Sequence, residues 1–207
     1  MKKARFTSAL LFILTIVAAG SLAAGAQEEK TPAIGDQAPA FTLKATSGET
    51  HSLVDDKGKI VVLEWTNPGC PVVQRHYQDG LMPATQKVAH EKGVVWLAIN
   101  STNPDHGNYR EPAALAKTYG DWKAAYDFQL LDADGKTGQA FGAKTTPHIF
   151  VIDAQGRVAY NGAIDDDTNG SKTDRTNYAL AAIDALLTGK PVAVATTRPY
   201  GCSVKYK

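Results

Sequence analysis

Two cysteines carry the thiol chemistry of this sequence, and the first of them, Cys70, stands at the predicted start of a helix. Pro71 follows it directly, and proline is favoured at the first position of a helix. The unpaired N–H groups and the dipole at a helix N-terminus stabilise an anion, so they lower the pKa of a thiol placed there. We therefore predict a thiolate that attacks a peroxide or a disulfide, in preference to an inert, buried cysteine.

The second cysteine, Cys202, lies 132 residues further along, near the C-terminus. A static disulfide between Cys70 and Cys202 would close a long loop and stabilise the fold by about 4–5 kcal/mol in the chain-entropy model. A redox-active pair is the other hypothesis, and an intermolecular bridge is a weaker third. Both of the first two hypotheses require the two residues to meet in the fold.

The elements around Cys70 form a β-α-β pattern. Residues 60–65 and 94–99 are apolar, β-branched runs typical of buried strands, and the helix that begins at Cys70 lies between them, followed by a second helix over 83–92. Such a unit implies parallel strands joined by a right-handed crossover. The remaining predicted elements are a hairpin over 41–53, a helix over 111–119, a strand over 128–131, a helix over 136–141, a hairpin over 148–160 and a helix over 175–187.

The N-terminal residues have the pattern of an export signal. Positive residues precede an apolar, uncharged run, and small residues follow it, which predicts a cleaved signal over 1–26 and an exported protein, periplasmic or extracellular. A retained N-terminal anchor is the alternative. A flexible tail over 27–33, one domain over 34–190 and a C-terminal tail over 191–207 follow. The chain has 22 basic and 21 acidic residues, a balance that gives no footprint for nucleic acid and no argument for membrane binding after signal cleavage.

Three segments carry a family resemblance. Residues 35–43, the strand 61–65 with Cys70-Pro71, and the Thr146-Pro147 step resemble the redoxin group, which includes alkyl hydroperoxide reductase and thiol-specific antioxidant proteins. The resemblance implies an α/β, thioredoxin-like three-layer fold, in which a mixed central sheet is flanked by helices. It also implies that Pro147 is cis and that the Thr146 backbone faces Cys70.

The active-site turn departs from two patterns of this superfamily. Thioredoxins carry Cys-x-x-Cys, whereas the run here is Cys-Pro-Val-Val over 70–73. Peroxiredoxins carry Thr-x-x-Cys, whereas Asn67 occupies the threonine position and Thr66 precedes it. Either the loop is shifted by one residue or the peroxide site is altered. The residues that we expect to line the substrate pocket are Thr66, Asn67, Pro68, Gly69, Pro71, Thr146, Pro147 and Arg157.

The resemblance implies a reaction. A hydroperoxide would oxidise Cys70, Cys202 would resolve the product as a disulfide, and an external dithiol protein would reduce that disulfide. Arg157 is the positional candidate for the arginine that peroxiredoxins bring from a distant strand. Two alternatives stay open: a non-catalytic binding domain held by a static bridge, and disulfide exchange with proteins at the cis-proline surface.

Other charged groups are interpreted as structural. Arg75 and His76 are expected to lie on a solvated helix face. The acidic run over 165–170 resembles a calcium loop, but it lacks the glutamate of the twelfth position, so a solvated loop is expected. The histidines share no ligand spacing with the cysteines, and we therefore expect no metal and no organic cofactor.

Overall fold

The computed structural model describes residue 1 and residues 31–207. The predicted signal, apart from Met1, and residues 27–30 of the predicted flexible tail lie outside the described residues. Within the described part of the chain, no helix is both long and apolar enough to cross a membrane.

A seven-stranded mixed sheet forms the centre of the fold, with the strand order β2-β1-β5-β4-β3-β7-β8. β3 pairs in parallel with β4 and antiparallel with β7, so the predicted β-α-β unit is confirmed. Two further strands, β6 and β9, form a separate pair. The strands are β1 (Thr42–Ala45), β2 (Thr50–Ser52), β3 (Val61–Trp65), β4 (Val95–Asn100), β5 (Phe128–Leu131), β6 (Thr145–Thr146), β7 (His148–Ile152), β8 (Val158–Gly162) and β9 (Cys202–Ser203).

Five α-helices in residues 31–207 complete the described fold. A 3₁₀ turn over Leu53–Asp56 follows β2. The helices are α1 (Pro71–Gln78), α2 (Leu81–Glu91), α3 (Pro112–Asp121), α4 (Lys136–Phe141) and α5 (Tyr178–Leu187). The last helix begins three residues later than predicted, because the Asn177 side chain caps it by accepting a hydrogen bond from Leu180 N–H.

The two faces of the sheet pack against separate apolar clusters. On one face, Val73 of α1, Met82 of α2 and Ile183 of α5 belong to one buried cluster. The other cluster includes Leu63 of β3 and Phe141 of α4. Both faces of the central strands are thus covered, which explains their nearly continuous apolar runs. The predicted α/β, three-layer thioredoxin-like architecture is confirmed.

Candidate active site

The turn between β3 and α1 places Cys70 at the start of a helix. Cys70 is the N-cap residue of α1, and Pro71 is its first helical residue, as predicted. The Asn67 side chain shapes the turn, because its Oδ1 accepts a hydrogen bond from Gly69 N–H at 2.6 Å. A Cβ at position 69 would lie 2.8 Å from Asn108 Cγ, so a larger residue there would require the Asn108 side chain to move. The turn therefore presents the Cys70 sulfur at the N-terminus of α1.

The loop before β7 faces this turn. Trp65, the last residue of β3, pairs with His148, the first residue of β7, so the two loops lie at the same edge of the sheet. The Thr146–Pro147 peptide bond is cis. The protonated Cys70 thiol donates a hydrogen bond to the Thr146 carbonyl oxygen at 3.0 Å. The Thr146 backbone thus lies opposite Cys70, as the resemblance implies.

The C-terminal segment brings the second cysteine to the same loop. β9 pairs antiparallel with β6, and this places Cys202 opposite Thr146. The Cys202 thiol lies close enough to the Cys70 sulfur for each thiol to shift the pKa of the other. Both residues are free thiols. Cys70 is 1% exposed, whereas Cys202 is only partly buried, so the pair meets with Cys202 on the outer side.

The two thiols have opposite pKa shifts. Burial raises the pKa of Cys70, but hydrogen bonds from Val73 N–H, from the Cys202 thiol and backbone, and from the Thr146 side chain together lower it below the ordinary value. Burial, the hydrogen bond to Cys70 and the negative charge of Cys70 raise the pKa of Cys202 to about 11. Cys70 is therefore the thiol that ionises first. Cys202 stays protonated, and its thiol can donate a hydrogen bond to the Cys70 thiolate.

The predicted pocket residues of the turn use their side chains elsewhere. The Thr66 hydroxyl lies 2.7 Å from the buried Tyr119 hydroxyl. Asn67 Nδ2 donates a hydrogen bond to the Thr102 hydroxyl. Neither group hydrogen-bonds the Cys70 sulfur, so the threonine site of the peroxiredoxin pattern is not rebuilt by this turn. The side chains that lower the pKa of Cys70 are instead those of Cys202 in β9 and Thr146 in β6. The Pro68 carbonyl oxygen accepts a hydrogen bond from Gln74 Nε2 of α1.

Arg157 lies far from this turn, and its predicted place beside Cys70 is wrong. Its Nη1 donates a hydrogen bond to the Gly35 carbonyl oxygen at 2.9 Å. It precedes β8 at the hairpin that follows Ile152, and Ile152 pairs with Val61, the first residue of β3. Cys70 follows the last residue of β3, so the two side chains belong to opposite ends of the sheet.

The prediction of a solvated face for Arg75 and His76 is also wrong. His76 is fully buried, and burial lowers its pKa. Arg75 is partly buried, and its Nη2 donates a hydrogen bond to the Asp167 carbonyl oxygen at 3.0 Å. The chain after β8 folds over α1 and removes this face from solvent. Sequence spacing along α1 carries no sign of that long-range cover.

The prediction of a solvated acidic run holds for residues 168–170, which are exposed, but not for two of its carboxylates, which are buried. Asp165 and Asp167 are each 1% exposed. Arg175 Nη1 lies 3.5 Å from Asp165 Oδ2, and Arg175 Nε lies 4.0 Å from Asp167 Oδ2. The guanidinium group therefore balances the buried carboxylates of this loop, which explains how they are tolerated away from water.

Two residues of the site region were missed by sequence reasoning. Tyr200 joins the tail to buried groups of α1 and of the acidic loop. Glu64, in the middle of β3, is a fully buried carboxyl that accepts hydrogen bonds from three side chains. A charged residue inside an apolar strand is the signal that marks Glu64 in the sequence, because such a residue is almost never fully buried without partners. Tyr200 carries no comparable signal.

His148 ties the cis-proline loop to β8. Its Nδ1 accepts a hydrogen bond from Lys144 N–H at 3.1 Å, and its Nε2 lies 2.7 Å from Asn161 Oδ1. These partners fix the neutral ring with its proton on Nε2. Burial lowers the pKa of His148 to about 4. Protonation of Nδ1 would break the bond to Lys144, so acid should loosen this loop.

We expect this histidine to make the fold sensitive to acid. The unfolded chain binds its proton near the ordinary pKa of 6.5 and the folded chain only near 4. The stability that His148 contributes is therefore complete above pH 6.5, and about 3 kcal/mol is lost as the pH falls to 4. Urea unfolding of the wild type and of His148→Gln at pH 7 and pH 4.5 measures this. The variant should lose less on acidification, and the exposed control His90→Gln should follow the wild type; equal losses in all three proteins would contradict the assignment.

Comparison with known proteins places the chain in a family. A model of the family described as Redoxin matches residues 33–180. The chain belongs to the Redoxin family. It is 29% identical to the thiol-disulfide oxidoreductase ResA of Geobacillus thermodenitrificans, covering 72% of this chain and 81% of ResA. It is 28% identical to MT2597 of Mycobacterium tuberculosis, named as a candidate peroxiredoxin, covering 64% of this chain and 78% of that protein.

Solved structures support the same placement. An uncharacterized conserved protein from Geobacillus kaustophilus superposes with a TM-score of 0.77 at 27% identity, covering 86% of this chain and 94% of that structure. Together with the family match and the site geometry, this confirms the predictions of a redoxin-type, thioredoxin-fold protein and of a thiol oxidoreductase.

Proposed function

We propose that this Redoxin-family protein reduces hydroperoxides, with Cys70 as the nucleophile and Cys202 as the resolving cysteine. The observation that carries the proposal is that Cys70 and Cys202 meet at Thr146, Cys70 through its hydrogen bond to the Thr146 carbonyl and Cys202 through the β6–β9 pair, combined with their opposite pKa shifts. A low-pKa thiolate beside a protonated thiol is the starting state that such a cycle needs.

The proposed cycle has three steps. The Cys70 thiolate attacks the distal oxygen of the hydroperoxide, the O–O bond breaks, and the leaving alkoxide takes a proton from solvent to become an alcohol. The Cys202 sulfur then attacks the Cys70 sulfenic acid, an S–S bond forms, and the hydroxyl leaves as water with the Cys202 proton. An external dithiol protein reduces the disulfide by thiol–disulfide exchange and is itself oxidised.

The cis-proline edge favours a small oxidant over a protein disulfide. An extended peptide would pair with the Thr146 backbone by adding a strand at this edge. β9 of the same chain already pairs there. A protein substrate would therefore have to displace the tail, whereas a hydroperoxide needs only a path to one sulfur. Disulfide exchange with proteins and a static Cys70–Cys202 bridge are the competing outcomes of the test below.

We also propose that the protein is exported after cleavage near residue 26. The support is the positive, apolar and small-residue order of the N-terminal sequence. The dithiol reductant would then be a protein of the same compartment. Fractionation of cells that produce the full chain tests this: a shortened protein outside the cytoplasm is expected, and a full-length cytoplasmic protein would contradict it.

Stopped-flow oxidation by hydrogen peroxide tests the function. The reduced wild type should lose its Cys70 thiolate absorbance at 240 nm about 100-fold faster than free cysteine, the lower end of what positioned proton donors contribute to a rate. Cys202→Ser should react in the same first step but stop at a sulfenic acid, which a dimedone-type reagent traps. Cys70→Ser should not react beyond the rate of a free thiol. A wild-type rate equal to that of free cysteine, with a bridge that resists mild dithiols, would leave the static bridge as the correct interpretation.

A further inference from the structure

The four residues before Cys202, residues 198–201, have few hydrogen bonds to the rest of the described structure. The residue pair Ala195 and Thr197 is bound to Asn161 of β8 through backbone hydrogen bonds. Beyond Cys202, Val204 N–H donates a hydrogen bond to the Lys144 carbonyl oxygen. Among the described hydrogen bonds, residues 198–201 are held between these anchors by one side chain, that of Tyr200.

The Tyr200 hydroxyl joins three parts of the structure. It donates its proton to Asp165 Oδ1 and lies 3.1 Å from Nε2 of His76. Because the hydroxyl has one proton and gives it to Asp165, it accepts from His76, which is then the neutral tautomer protonated on Nε2. The buried Nδ1 of His76 has no hydrogen-bond partner within the described structure. This agrees with a neutral ring, in which Nδ1 carries a lone pair and no proton. Burial and the bond to Asp165 raise the pKa of Tyr200, so its proton is retained.

The carboxylate that accepts the Tyr200 hydrogen bond is itself buried and paired with an arginine. Asp165 is 1% exposed, and its Oδ2 lies 3.5 Å from Arg175 Nη1. The same Arg175 nitrogen lies 3.3 Å from Asp79 Oδ2 at the C-terminus of α1. His76 belongs to α1 as well, and α1 begins directly after Cys70. One hydroxyl therefore connects the helix of Cys70 to the tail, two residues before Cys202.

We propose that Tyr200 is a positioning residue, which holds Cys202 over Cys70 so that the disulfide forms quickly and is favoured at equilibrium. This proposal rests on the proposed redox role of the cysteine pair. It adds that Tyr200 sets the effective concentration of one thiol at the other. Tyr200 reaches neither sulfur in the described contacts and acts through the backbone of Gly201. Without its hydroxyl, residue 200 keeps the contact of its ring with His76 of α1 but loses both hydrogen bonds. The two-residue β9–β6 pair then holds Cys202 with less support, so Cys202 samples positions away from the Cys70 sulfur.

The test replaces the hydroxyl alone, in Tyr200→Phe. The dithiol–disulfide equilibrium of Cys70 and Cys202 is measured in glutathione buffers, and the rate of disulfide formation after peroxide addition is measured by stopped flow. We expect the equilibrium constant for disulfide formation and the rate of disulfide formation each to fall about tenfold, because the hydrogen bonds to a buried carboxylate and a buried imidazole are lost. In the Cys202→Ser background, the rate of sulfenic acid formation should stay within about twofold, which separates positioning from general loosening of the fold.

Tyr126→Phe is the matched control. Its hydroxyl is also partly buried and hydrogen-bonded, to Gln129 Oε1 at 3.1 Å, but it lies before β5 and away from the tail. This variant should keep the wild-type equilibrium. An unchanged equilibrium and rate in Tyr200→Phe would overturn the positioning role, and so would an equal slowing of sulfenic acid formation. A wild type that forms no Cys70–Cys202 disulfide in any buffer would overturn the proposed function itself, and the two failures are thus distinct.

Discussion

Gly201→Ala should slow formation of the Cys70–Cys202 disulfide by about 100-fold, the loss expected when reacting groups are misplaced by about 1 Å. A Cβ at position 201 would lie 2.1 Å from the Thr146 carbonyl oxygen and 2.9 Å from its carbonyl carbon. Both are backbone atoms of the cis-proline loop, so neither can rotate away. Gly201 also has φ of +127°, a conformation that alanine avoids. The tail must therefore withdraw from β6 and carry Cys202 with it.

The measurement is the rate of disulfide formation after oxidation of Cys70 by hydrogen peroxide. Gly48→Ala is the matched control, because Gly48 also has positive φ, +92°, but a Cβ there would have nothing within 4 Å. Gly48→Ala has similar backbone strain but no steric clash, so this variant should form the Cys70–Cys202 disulfide at the wild-type rate. Sulfenic acid should accumulate in Gly201→Ala alone. A Gly201→Ala protein that closes its disulfide as fast as the wild type would show that β9 is not the route by which Cys202 reaches Cys70.

The local signals around Cys70 were sufficient to predict the elements that carry it. Three short-range signals predict these elements: the apolar run at β3, the proline after Cys70 and the apolar run at β4. The structure has β3, α1 and β4 in those places. The strand over 128–131 and the helix over 136–141 have the predicted bounds. Short-range patterning and capping chemistry determine these features, so a single sequence contains them.

Contacts between distant parts of the chain account for the errors. The sequence predicts a solvated His76 because its helix face is polar, but the segment after β8 and Tyr200 of the tail cover that face. Arg157 was assigned to the site by analogy of position, but antiparallel pairing of β7 and β3 sends the hairpin to the far end of the sheet. The pairing of β9 with β6 joins two-residue strands, which are too short to show a periodic pattern. Both leading hypotheses about the cysteines require them to meet, but no signal in the sequence indicates the tail contacts that bring them together.

Glu64 is the buried group on which the position of α1 depends. Its carboxylate accepts hydrogen bonds from Tyr77 OH at 3.0 Å, Gln86 Nε2 at 3.0 Å and Trp96 Nε1 at 2.9 Å. The partners belong to α1, α2 and β4, so one side chain of β3 connects three neighbouring elements. Burial raises the pKa of Glu64, and the three donors oppose that shift. The folded chain therefore binds this proton more tightly than the unfolded chain, and the contribution of Glu64 to stability declines as the pH rises above its ordinary pKa of 4.5.

Glu64→Leu should lower the free energy of unfolding by about 4 kcal/mol, because three buried donors lose their acceptor and each unsatisfied donor costs roughly 1–3 kcal/mol. Urea unfolding at pH 7 measures the loss. Glu91→Leu, an exposed glutamate of α2, should change stability by no more than about 0.5 kcal/mol. Tyr77→Phe removes one donor and leaves two, so its loss should be smaller than that of Glu64→Leu. If Glu64→Leu were as stable as the wild type, neither the position of α1 nor the start of the helix at Cys70 would depend on this carboxyl.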